Sequence, residues 1–200
     1  MRNFAEDIGI TGHLTIIKKF KDGEEEVVFD DHNIIVSGMG VALSYLFTAS
    51  GSNTILDYQI DRFQLGVSGP NGNGIVSSIY ELSGSLGNDY GAGSNLFIEK
   101  NTQITGQSDT LNQYFALIPA NKITKIGETS VRYTLVVDEE ACNDLKDSED
   151  EDTYLSEVGL LAKNPRGDSV NASILVAYRN FSIIRKTSDF SLIFRWTLNF

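Results

Sequence analysis

Few side chains in this sequence combine the types and spacing that catalysis requires. A nucleophilic set needs a Ser, Cys or Thr within hydrogen-bond reach of a base. The histidines are His13 and His32, and neither lies in a nucleophile-elbow context. The single cysteine, Cys142, sits in an acidic stretch, which raises a thiol pKa and leaves the thiolate unactivated. We expect His13 to begin a strand, His32 to lie in a turn and Cys142 to be inert. Residues 68–74 (SGPNGNG) are glycine-rich like a phosphate-cradling loop. They lack the lysine and the Ser/Thr that hold phosphate and magnesium in a Walker loop, and no strong helix pattern follows. A plain turn accounts for them.

Residues 139–152 (EEACNDLKDSEDED) hold eight acids and one lysine. Asp147, Glu149 and Glu151 stand at the first, third and fifth positions of a would-be calcium loop. The sixth position is Asp152 where the turn demands glycine, and the twelfth is Val158 where a bidentate glutamate is needed, so the template fails. This acidic insert is expected to be a solvated loop, or one that docks on a basic patch of another subunit. Paired carboxylates of the glycosidase kind depend on a three-dimensional separation that sequence does not give. Two sequons, Asn171-Ala172-Ser173 and Asn180-Phe181-Ser182, are treated as chance matches in an unexported chain. No catalytic, cofactor-binding or metal-ligating residue is assigned, and no cofactor is expected.

The elements that would position any site are mostly strands. The chain has 200 residues, enough for a core without disulfides or metal, and its 18 glycines against 3 prolines accompany many β-branched and aromatic residues. A net charge of −11 repels phosphate backbones, so direct nucleic-acid binding is disfavoured. The opening MRNFAEDIGITGH lacks the apolar core of a secretory signal. The longest apolar-rich stretch, residues 40–49, falls short of the ~20 residues a membrane span needs. The expectation is a soluble chain that stays in the compartment where it is made.

Residues 12–29 read as a hairpin: His13–Ile17 is rich in β-branched residues, Lys21-Asp22-Gly23-Glu24 supplies the turn, and Val27–Phe29 returns. This hairpin could protrude from the rest. Asp30-Asp31-His32-Asn33 is expected to be a polar break before Ile34–Val36. Ser37 can cap one short helix over about 38–49, where Val41, Ala42, Tyr45 and Leu46 form an apolar stripe and Gly51 suits the stop. Strands are expected at 62–67, 95–98, 114–118, 130–137, 154–162, 172–180 and 190–200, with a long loop over 77–93. In the last strand Phe190, Leu192, Phe194, Trp196, Leu198 and Phe200 share one face. Crossover helices for a parallel sheet are missing. The fold class is therefore mainly β: a single domain, 1–200, as an antiparallel sandwich or jelly-roll-like arrangement with one short α-helix.

Five blocks resemble a broad group of tailed-bacteriophage virion proteins. Asn33-Ile34-Ile35-Val36-Ser37-Gly38 before a helix resembles the group's opening N-L-I-V block, and Phe63 to Gly69 resembles its following strand and turn. Ser156 to Ala162 (SEVGLLA) is similar to its x-E-x-G-L-F block. Leu175 to Lys186 and Asp189 to Phe200 resemble its two closing blocks. The blocks span residues 33–69 and 154–200; the 12–29 hairpin, the glycine-rich 84–93 stretch and the 139–152 insert depart from the group. The resemblance implies a virion structural subunit, made in the host bacterial cytoplasm and present in many copies. It would be a non-enzymatic part of the tail, baseplate or fibre region, contacting copies of itself and other virion proteins. A neck or capsid decoration protein is an alternative within that group. A lectin-like host-recognition module is an alternative from another class, with Tyr80, Tyr90 and Phe97 as its candidate sugar-stacking aromatics.

Overall fold

The computed structural model describes residues 9–35, 38–49, 54–66, 115–143, 154–163, 165 and 174–200. Within them the chain is mainly β, with one α-helix. Strands β1 (Thr11–Phe20) and β2 (Glu25–His32) form the expected hairpin, and β3 (Ile34–Ile35) leads into helix α1 (Gly38–Phe47). A 3-10 turn at Ile55–Tyr58 precedes β4 (Ile60–Gly66). The remaining strands are β5 (Phe115–Leu117), β6 (Ile123–Lys125), β7 (Ser130–Val137), β8 (Leu155–Ala162), β9 (Ile174–Ile184) and β10 (Phe190–Asn199).

These strands make two five-stranded sheets, ordered β2-β1-β10-β7-β6 and β3-β9-β8-β4-β5. Every pairing is antiparallel. The reason lies in the alternation of the strands. On β10, Phe190, Leu192, Phe194, Trp196 and Leu198 all enter one buried cluster, as the sequence periodicity predicts, whereas Phe200, the sixth residue of that face, lies past the strand and is half exposed. Tyr133, Leu135 and Val137 of β7 join the same cluster, and Val131, partly buried, packs against it. From the second sheet come Phe63, Leu65, Val158, Leu160, Val176 and Phe181. Ring contacts cross between the sheets: Phe63 lies 6.0 Å from Trp196, and Phe181 lies 6.3 Å from Phe194. Each such side chain contributes roughly 1.5–3 kcal/mol on full burial.

Three expectations change. The 12–29 hairpin does not stand apart, because β1 pairs with β10 from Thr11↔Asn199 to Phe20↔Phe190 and is an interior strand of its sheet. The supposed polar break at Asp30-Asp31-His32 is strand, held in register with Thr15, Leu14 and His13. Strand β6 was not anticipated, since it is three residues long. The expected strand at 95–98, the 68–74 turn, the 77–93 loop, Ser37 and Gly51 lie outside the described residues.

Candidate interaction surfaces

The blocks that carry the family resemblance build one sheet. They supply β3, β9, β8 and β4, neighbours in that order, and also β10 of the facing sheet. Two of their most distinctive residues do steric work. A side chain at Gly38 would collide with the backbone oxygen of Leu175 in β9, so only glycine lets the start of α1 sit against that strand. Asn33 packs its amide directly over Gly12, where a Cβ would overlap it. The Asn33 N–H also donates to the Gly12 oxygen at 3.1 Å. These positions fix backbone approach and leave no reactive group exposed.

The candidate chemical residues are dispersed. His13 and His32 face each other across β1 and β2, rings edge-on with centroids 5.5 Å apart. His13 Nε2 lies 2.7 Å from Asp30 Oδ1, which also accepts from Thr15 Oγ1 at 2.7 Å. The Thr15 hydrogen bond, then the His13 one, hold the Asp30 carboxyl below its usual range. Next to it, Arg179 donates to Asp31 at 2.6 Å and lies over the Phe29 ring. This exposed lattice of polar pairs explains how a run of acids stays in a strand.

Cys142 is buried, with a left-handed φ of 58°. Burial pushes its thiol up to about 12, against a smaller opposing effect from Lys186. The sequence anticipated the direction but assigned it to neighbouring acids; loss of water is the larger cause. Lys186, which drew no attention in the sequence, anchors this corner. It is buried, and its ammonium donates to Thr187 O at 2.7 Å and Asn143 Oδ1 at 2.8 Å. Burial lowers its pKa. It ties the 139–143 turn to the end of β9. The rest of the acidic insert, with Asp147, Glu149 and Glu151, lies outside the described residues, as do Tyr80, Tyr90, Phe97 and Asn171. Among the described residues, no group of three His, Cys, Asp or Glu side chains is placed to hold a metal. Asn180 is buried opposite Glu157, unlike a glycosylation acceptor.

The buried carboxylates among the described residues are Asp61 and Glu157. Arg62 Nε donates to Asp61 at 2.8 Å, and the Tyr178 hydroxyl donates to Glu157 at 2.7 Å. Each is thus engaged by a neighbour on its own sheet.

The surface that stands out is apolar. A groove of about 360 Å³ opens between α1 and the 3-10 turn, lined by Met39, Leu43, Leu46, Ile55, Leu56 and Tyr133, among others. Residues distant in sequence converge there, which is why no local pattern announced it. Phe47, next in sequence to Leu46, is 81% exposed, and Ile55 and Leu56 are 79% and 59% exposed. The predicted helix stripe divides accordingly: Val41 and Tyr45 pack on the core, Ala42 packs on the core and also lines the groove, and Leu46 lines the groove. Contiguous exposed apolar side chains of this kind mark association surfaces on soluble proteins.

No protein-family profile matches the chain, and neither a curated protein nor a solved structure shows significant likeness to it.

Proposed function

We propose that this chain is a structural subunit of a bacteriophage particle, present in many copies and joining neighbouring virion proteins in the tail, baseplate or fibre region. The observation that carries the association half of this reading is the exposed apolar surface formed by Phe47, Ile55 and Leu56 around the groove. Isolated folding leaves those side chains in water, and a partner would take them out of it. The virion half rests on the five sequence blocks, whose residues here build strands and close backbone contacts. In this reading the chain works by contact, without turnover, and its location is the virion.

The test is direct. Purified particles of the phage that encodes this chain should contain it at several copies per particle, as measured by quantitative mass spectrometry against the major capsid subunit. Absence from the particle, together with a chain that stays monomeric in solution, would remove the proposal.

A further inference from the structure

The first sheet ends in two strands of opposite charge. Strand β2 forms one edge and β6 the other. Glu25, Glu26, Asp30 and Asp31 lie on β2, with Glu24 in the turn before it, and all are exposed. Lys125 lies on β6 and Lys122 just before it, also exposed; Glu128 follows only in the next turn. On the acidic edge, Asp30 and Asp31 are engaged by His13 and Arg179, and among the described residues Glu26 has only a long contact of 3.9 Å to Lys18. Edge strands present unpaired backbone donors and acceptors, which a second strand can satisfy.

Direction follows from topology. The steps β2 to β1, β1 to β10, β10 to β7 and β7 to β6 are all antiparallel, so β2 and β6 run the same way. We infer that copies of this chain join head to tail, the acidic β2 edge of one copy lying parallel to the basic β6 edge of the next. The inference rests on the multi-copy reading above and names the joint. A two-fold pairing of β2 with β2 would set Glu25, Glu26, Asp30 and Asp31 against themselves, and one of β6 with β6 would oppose lysines. Like charges directly opposite are destabilising, so charge selects the heterologous joint. Such a joint closes into a ring or continues as a filament, depending on the rotation between copies.

The apolar groove adjoins the receiving edge. Tyr133, which lines the groove, is the register partner of Ile123 in β6. A copy docked on β6 is therefore one strand away from the groove that Leu46, Ile55 and Leu56 line. Three residues of strand pairing are a small contact, and a stable interface needs about 800 Å² per partner. The neighbouring apolar side chains supply the area that the short strand lacks.

Sedimentation velocity of the full chain tests the joint. The wild type should form species larger than a dimer at low ionic strength and shrink as salt rises, because salt screens exposed charges. Glu25→Lys with Glu26→Lys reverses the charge at the start of β2, so that this end of the strand repels the basic β6 edge, and Lys122→Glu with Lys125→Glu makes both edges acidic. Each double variant alone should remain monomeric while keeping the wild-type circular dichroism spectrum. An equimolar mixture of the two should assemble again, since each edge then meets its opposite. Wild-type oligomers that both variants form equally well would overturn the edge joint while leaving a multi-copy subunit standing. A wild type that is monomeric at every concentration and salt would also overturn the edge joint, and the subunit reading with it only if purified particles lack the chain.

Discussion

Between the sheets, Phe63, Phe181, Phe194 and Trp196 are almost wholly removed from water and touch ring to ring. At the end of α1, Phe47, Ile55 and Leu56 are of similar chemical character yet remain mostly in solvent. The two regions show that apolar residue type alone does not assign a side chain to folding. Burial stabilises the fold only where the chain itself supplies the partner, as β4 and β9 supply it to β10. Around the groove the described residues supply a floor but no cover. Exposed as they are, those residues contribute little to folding, and in the proposed reading the free energy of covering them goes to association.

Substitutions separate the two roles. The largest effect belongs to the inter-sheet core. Phe194→Ala should cost ~3–5 kcal/mol in urea unfolding, since it opens a cavity between Phe63 and Phe181. Trp196→Phe should cost distinctly less than Trp196→Ala, because the indole N–H has no hydrogen-bond partner among the described residues and its loss gives up only packing. A midpoint unchanged by Phe194→Ala would mean that the sheets do not depend on this contact. Next, Gly38→Ala should cost ~1–3 kcal/mol, the usual penalty for overpacking, by pushing α1 away from Leu175. If Gly38→Ala matches the wild-type midpoint, the close approach of helix and strand is not required.

A pH effect comes third. The Cys142 thiol titrates at about 12 in the fold against 9.0 in the unfolded chain. Stabilisation by the neutral buried thiol is therefore complete below pH 9.0 and lost progressively as pH rises toward 12. By pH 10 the loss is about 1 kcal/mol. Cys142→Ala should remove that component, so its unfolding midpoint should fall less steeply than the wild type's between pH 8 and about 10. Equal slopes would show that the thiol is reached by water.

Much of this architecture is legible in the sequence. The alternation of β7 and β10 names their buried faces, and the helix at 38 begins where the pattern places it. What escapes is decided by tertiary pairing. Asp30, Asp31 and His32 have poor strand propensity, yet β1 holds them in register and His13, Thr15 and Arg179 satisfy the two carboxylates. Strand β6 is too short to show a period. Lys186 has no local signature because its acceptors, Asn143 and Glu139, lie far back along the chain. The groove and the opposed charges of the edges share this character. Every residue is visible in the sequence, but strand order and the convergence of α1, the 3-10 turn and β7 make them a surface.

The smallest expected effect on stability is the most informative. Phe47→Ser with Ile55→Ser should leave the urea midpoint within about 0.5 kcal/mol of the wild type. In the same preparation, the concentration needed for assembly should rise at least about tenfold by sedimentation velocity. A large loss of stability with assembly unchanged would contradict the account, because these side chains would then belong to the fold and not to the contact between molecules.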